Sequence, residues 1–192
     1  MSKQAVASKG GRGARQRILD TATELFYRDG INATGVERLA AESSVSKRTL
    51  YQHFPSKTAV VEEYLRSIED RVANNPMEGA DRTPRERLLA VFQAPTSRGG
   101  PLRGCPFHNA AVESAGAMPG VQEIVRASKR SFINGLAELA KQAGAADPQQ
   151  LGYELGVLYE GAAALATSLD DSSPWTHARA AAESLIDQAL NR

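Results

Sequence analysis

The sequence predicts an all-α protein: an N-terminal three-helix unit with a helix-turn-helix, then a C-terminal helical bundle. Three observations predict it. Apolar residues recur at helical spacings through most of the chain. Prolines stand at the first helical position behind Thr83, Cys105, Asp147 and Ser173, where a missing N–H costs nothing. Two short helical segments flank a polar turn at 43–46.

Residues 1–11 are polar, Gly-rich and basic, and are expected to be a disordered arm. The first helix starts near Arg12, where Ile18, Ala22, Leu25 and Phe26 make one apolar face, and Gly30 stops it. Thr34-Gly-Val-Glu37 has the spacing of a capping box, so Thr34 is expected to cap a second helix with inner face Val36, Leu39 and Ala40. Ser46 caps a third helix that ends at Phe54, because Pro55 disfavours helix in the residue before it. Val45 plugs the turn, while Leu50 and Phe54 anchor the third helix. Ser56 caps a fourth helix, which links this head, residues 12–57, to a body of residues 58–192.

Charge divides along the same line. Up to Lys57 there are ten Lys and Arg against five Asp and Glu; beyond it there are thirteen against seventeen. A basic head on an acidic body points to a polyanionic partner. The outer face of the third helix presents Lys47, Arg48, Tyr51 and Gln52. In a helix-turn-helix such a helix lies in the major groove with its N-terminal residues toward base edges. Arg and Lys can donate to guanine and Gln can pair with adenine, whereas Tyr51, His53 and Lys57 are better placed for phosphates. The competing reading of this stretch is a solvated surface helix beside a capping turn.

Residues 15–65 resemble the DNA-binding domain of the TetR/AcrR (tetracycline-repressor) family of bacterial transcriptional regulators. The most specific piece is TLYQHFPSK, residues 49–57. The resemblance implies three DNA-binding helices and about six more that bind a ligand and dimerise. It implies a homodimer, a repressor on a near-palindromic double-stranded DNA operator, released by a small-molecule effector. It assigns Thr34 to a phosphate, Lys47, Arg48 and Gln52 to base edges, and Tyr51, His53 and Lys57 to phosphates; Thr49 completes the set. One departure is Ser43-Ser44, where family members often carry Gly or Ala before the valine.

In the body, Thr83-Pro84 and Glu86 open one helix, a Pro/Gly-rich break covers 94–104, and Cys105-Pro106 opens the next. Pro119 starts a long helix with Val121, Val125, Ser128, Phe132, Leu136 and Leu139 on one face. After Asp147-Pro148, Leu151, Leu155, Leu158, Ala162, Leu165 and Leu169 follow at alternating spacings of four and three, a heptad-like seam. Gly152, Gly156 and Gly161 thin the other side. After Ser173-Pro174, Ala178, Ala182, Leu185 and Ala189 repeat the pattern. Two such helices per subunit would form a four-helix dimer interface; the alternative is burial within the monomer.

The segment LRGCPFHNAAVE, 102–113, places Cys105 at a helix start beside Arg103, with Phe107, His108, Asn109 and Glu113 following. Cys105 reads as a small buried residue, as part of an effector pocket formed with those four, or as an oxidant or electrophile sensor, since a helix N-terminus and a cation favour the thiolate. The sensor is the alternative function for the whole chain. Cys105 with His108 is the nearest approach to a nucleophile–base pair, yet no third orienting residue and no Gly-rich phosphate loop accompany it, so an enzyme is not expected. Three His and one Cys lack metal-ligand spacing, and neither a metal nor a cofactor is expected. No window approaches the roughly 18 apolar residues of a membrane span. The start has no apolar signal region and one cysteine allows no internal disulfide, which suits the cytoplasm. A non-specific architectural DNA protein remains a third class.

Overall fold

The computed structural model describes residues 12–73, 81–94 and 102–191, with the side chains of Arg12 and 71–73 left aside. The expected basic arm, 1–11, and most of the Pro/Gly break lie outside the described residues. Helices run in the order α1 (Arg12–Arg28), α2 (Val36–Glu42), α3 (Lys47–His53), α4 (Lys57–Ala73), α5 (Pro84–Ala90), α6 (Pro106–Glu113), α7 (Pro119–Ala143), α8 (Pro148–Leu169) and α9 (Ser173–Leu190). No strand occurs among the described residues.

Two apolar cores organise these helices. The first joins α1, α2 and α3 to α4 through Ile18, Leu25, Leu39, Leu50, Phe54, Val60 and Leu65, with Phe26 and Tyr64 edge to face at 5.5 Å. Each such side chain contributes about 1.5–3 kcal/mol on burial. Half of α4 thus belongs to the head's core, and the linker is packed rather than free. Phe107 and Ala110 of α6, with Val121 and Val125 of α7, complete the same core. The second core joins α5, α7, α8 and α9 around Tyr159, which is flanked by Phe132 at 4.8 Å, Trp175 at 5.2 Å and Phe92 at 6.5 Å. Burial, helped by nearby Cys105 and Glu160, pushes the Tyr159 phenol up to about 12, so it remains neutral.

Capping explains several helix starts. Ser46, Thr83 and Asp147 side chains accept from the third residue of α3, α5 and α8 respectively, and Thr83–Glu86 forms a full capping box. Ser56 Oγ accepts from Ala59 N at 3.1 Å at the start of α4. The capping box expected at Thr34 is not formed. Gly35 is the N-cap of α2 with no side-chain cap bond, and Thr34 is fully buried, its hydroxyl donating to Gly30 O at 2.8 Å. Thr34 faces inward, so its hydroxyl does not reach a phosphate. The Thr-x-x-Glu spacing misleads because Glu37 turns to Lys47 instead.

α8 pairs with α7 closely enough that a Cβ on Gly152 would meet the Ala137 backbone at 2.8 Å. The heptad seam faces this packing. Leu151, Leu155, Ala162, Ala178 and Ala182 are buried inside the monomer, and Leu158, Leu185 and Ala189 pack partly buried against the same core. Five of the nine residues expected at the interface are thus buried by the subunit's own core, while Leu158, Leu185 and Ala189 keep part of their surface and Leu165 is exposed. A four-three repeat marks a packed seam but not which partner fills it. The apolar surface left open on α8 is a neighbouring stripe: Tyr153, Val157, Leu165 and Leu169, in steps of four with exposed Gly161 between.

Thr34→Val removes the hydroxyl at nearly constant shape and leaves Gly30 O without that donor. It should destabilise the protein by about 1–3 kcal/mol in denaturant unfolding. DNA affinity of the folded variant should stay within about twofold, because no phosphate contact is lost. A selective loss of DNA affinity at unchanged stability would restore the phosphate role.

Candidate functional site

The turn between α2 and α3 is fixed by its own backbone. Ser43 N and Val45 N donate to Leu39 O and Ala40 O at 3.0 Å, and Ser43 Oγ also reaches Leu39 O. Arg17 Nε of α1 donates to Ser43 O at 3.2 Å and ties the turn to the first helix. Ser44 adopts a left-handed conformation, φ 53°, which explains the Gly often found there: a Cβ is strained in that region.

The turn sets α3 with Leu50 buried and Lys47, Arg48, Tyr51 and Gln52 exposed on the opposite side, with Thr49 and His53 half-buried at the edges. Thr49 also serves the cap: its N donates to Ser46 Oγ at 3.0 Å and its hydroxyl lies 2.8 Å from the same oxygen. Behind α3, the Arg15 guanidinium stacks over the Phe54 ring at 5.1 Å and pairs with Glu63 of α4 at 2.6 Å. Lys47 Nζ donates to Glu37 Oε1 at 2.6 Å; each holds the other's charge, raising the ammonium and lowering the carboxyl relative to their ordinary ranges. Arg48 has no acidic partner among the described residues. Lys57 opens α4, half-buried; desolvation pulls its ammonium below the ordinary range and the Glu113 carboxylate partly offsets this. The exposed face of α3 therefore carries Lys47, Arg48, Tyr51 and Gln52 with Thr49 and His53 at its edges, while Lys57 stands half-buried at the start of α4 and Thr34 is buried.

A second site lies in the body. A cavity of about 290 Å³ opens between α6, the segment before it, and α8. Cys105, His108, Asn109 and Glu113 line it, as does Arg103. Phe107 does not: it is buried in the head's core, on the face of α6 that it shares with Ala110. From α8 come Glu160, Ala163, Ala164, Thr167 and Ser168, which sequence reasoning missed. A signal was present, since Glu160 is the single charged residue in the apolar run 155–169. Lys129 Nζ donates to Glu160 Oε1 in a very short contact and to Cys105 Sγ at 3.3 Å, and His108 Nδ1 stands 3.9 Å from Glu160 Oε2. Cys105 is the N-cap of α6 but its thiol makes no cap bond to the helix, it is only partly exposed, and the lysine that reaches its sulfur is shared with Glu160. The reading of Cys105 as a redox sensor gains no support from this arrangement.

The cavity wall also holds the head. Glu113 Oε2 accepts from Asn32 N at 2.7 Å, and Asn32 Nδ2 donates to Glu113 O at 3.0 Å. Arg103 Nε donates to Tyr27 O at 3.1 Å, and Tyr27 OH donates to Gly104 O at 3.4 Å. Asn109 Nδ2 closes the strap on Arg103 O at 2.6 Å. Both ends of α6 thus grip the end of α1 and the loop after it.

No group of three or more His, Cys, Asp or Glu among the described residues could hold a metal, and no described helix is long and apolar enough to cross a membrane. Residues 18–64 match the family described as bacterial regulatory proteins, tetR family, and residues 84–182, more than half of the chain, match the tetracyclin repressor-like C-terminal domain. The HTH-type transcriptional repressor KstR2 of Rhodococcus jostii is 38% identical over 63 residues, 33% of this chain and 31% of its own length, so the chain spans under a third of that relative. The HTH-type transcriptional regulator LmrA of Bacillus subtilis is 24% identical over 177 residues, 85% of this chain and 92% of its own. Two TetR-type regulators of known structure cover nearly the whole chain: SCO4454 of Streptomyces coelicolor, 28% identical over 93% of this chain and 96% of its own with TM-score 0.76, and a putative regulator of Streptomyces avermitilis, 30% identical over 92% and 97% with TM-score 0.78. All four relatives are described as transcriptional regulators or repressors. This all-helical chain belongs to the TetR family of DNA-binding transcriptional regulators.

Proposed function

We propose that the protein is a homodimeric repressor that holds a near-palindromic operator through α3 of each subunit and releases it when a small molecule enters the α6–α8 cavity. One observation carries the effector half of this reading. Among the described residues, every hydrogen bond joining head residues 12–57 to body residues 81–191 is made by a cavity-lining residue: Arg103, Gly104 or Glu113. A ligand that draws on these groups competes with the head for them. Such a ligand shifts the head only through its differential affinity for the two arrangements. The sense of regulation, repression, is supported by the likeness to the repressor KstR2.

For the DNA half, Arg48 and Gln52 are the base-reading side chains, with Lys47; Tyr51, His53 and Lys57 fix position on phosphates, with Thr49 beside them. Two-fold symmetry presents two such helices to equivalent half-sites. The stripe Tyr153, Val157, Leu165 and Leu169 is the surface proposed for the second subunit, and Gly161 lets the partner helix approach.

Selection of bound fragments from a random DNA pool should return a near-palindrome. Arg48→Ala or Gln52→Ala should relax preference at particular bases, at a cost of about 1–3 kcal/mol, while Lys57→Ala should weaken all sequences alike and flatten the salt slope by roughly one unit. A change of chosen bases in Lys57→Ala would overturn that division. Leu165→Glu places a charge on the open stripe, where pairing would bury it unpartnered at a cost on the order of several kcal/mol. Sedimentation should find folded monomers with weakened operator binding; an intact dimer would place the interface elsewhere.

A further inference from the structure

The geometry points to Glu37, outside the recognition helix, as a further base-reading residue: with Lys47 it forms a donor–acceptor pair that reads one G·C base pair as a unit. This rests on the proposed docking of α3 in the major groove. Lys47 is the first residue of α3, the end that faces base edges in such docking. Glu37 is the second residue of α2, and its carboxylate meets the Lys47 ammonium at 2.6 Å with side chains 74% and 53% exposed. The carboxylate therefore stands on the DNA-facing side of the head.

The other acidic groups around the head have different work. Asp29 pairs with Arg28 and Arg38, Glu42 with Arg38, Glu24 with Arg28 and Glu63 with Arg15, while Asp20 accepts from Gln16 and Glu113 holds Asn32. Glu37 alone among these is committed to the recognition helix. An exposed ion pair adds little to stability, so stability does not explain the arrangement.

Lined by phosphates, the major groove repels a carboxylate that finds no donor there. The groove's base-edge donors are the amino groups of cytosine and adenine. In a G·C pair the cytosine amino group is hydrogen-bonded to guanine O6, so donor and acceptor stand about 2.9 Å apart at the groove edge. Lys47 on guanine and Glu37 on cytosine match that spacing. Guanine offers the ammonium both O6 and N7, whereas thymine offers O4 alone, which favours G·C over A·T. The pair is already assembled in the free protein, so less side-chain freedom is lost on binding. Glu37 also cancels the Lys47 charge, which lowers attraction to DNA of any sequence.

The test is selection from a random pool with the full-length protein, followed by titration of the selected site and a random duplex at several salt concentrations. One position per half-site should prefer G·C by about tenfold in the wild type, and Glu37→Gln should reduce this to within about twofold. The same variant should bind random DNA more tightly, with a salt slope steeper by about one. Lys47→Met should flatten the same position, and the double variant should lose no more preference than Lys47→Met alone. Arg48→Ala should alter a different position, which shows independently that α3 reads bases. An unchanged Glu37→Gln profile, or flattening at a position different from that of Lys47→Met, overturns the inference. A wild-type protein without any preferred sequence, or an Arg48→Ala profile like the wild type's, would remove the docking of α3 itself.

Discussion

The grip of Glu113 on the loop after α1 is the interaction on which the relation between the two halves depends. The carboxylate accepts from Asn32 N while the residue's own carbonyl accepts from the Asn32 side chain, so one residue fixes both the backbone and the side chain of that loop. Gly30 makes the approach possible in two ways. Its φ of 99° is a conformation that L side chains rarely adopt, and a Cβ there would stand 3.1 Å from the carboxylate. Thr34 then bonds back to the Gly30 carbonyl. The loop is thus held from inside by a buried threonine and from outside by α6. The apolar counterpart is Phe107 with Ala110, which insert into the core of the head from the opposite face of the same short helix. One helix accordingly has an apolar face in the DNA-binding unit and a polar face on the cavity.

On the proposed reading, the electrostatics of the head work by restraint rather than by excess charge. Arg38 is held by Asp29 and Glu42, Arg15 by Glu63 and Lys47 by Glu37, so many of the cations counted in the sequence are already paired. Arg48 stands on α3 without an acidic partner among the described residues. A few placed donors on a rigid turn favour base discrimination over general adhesion to phosphate, which is the balance that separates specific from non-specific binding. The rigidity comes from Ser46 at the cap, Arg17 on the turn and Arg15 over Phe54.

Much of this was legible in the chain because local signals and global packing agree. Ser46, Ser56, Thr83 and Asp147 each cap the helix that their spacing indicates, and Leu50 and Phe54 anchor α3 as their period requires. What failed shares one physical cause: spacing reports which residues lie on a common face but not what covers that face. Leu151, Leu155 and Ala162 form a seam, yet α7 and α9 fill it. Phe107 stands among the pocket residues in sequence and on the opposite side of α6 in space. Thr34 has a capping spacing, but Gly35 takes the cap and leaves the hydroxyl to the interior. Of the α8 wall of the cavity only Glu160 left a mark in the sequence, as the one charge in its apolar run; the other wall residues left none, because 103–113 and 160–168 meet only after folding.

On the proposed reading, the cavity wall and the orientation of the head form one coupled unit. Coupling between two binding sites is reciprocal, so operator DNA must perturb the cavity even when no effector is present. Hydrogen exchange of the full-length protein, free and saturated with its selected operator, reads this directly at the segment 102–114, more than half of which lines the cavity. Protection there is expected to change on DNA binding, alongside a change at Asn32, whose amide donates to Glu113. Protection that changes at α3 but stays constant through 102–114 and Asn32 would contradict it.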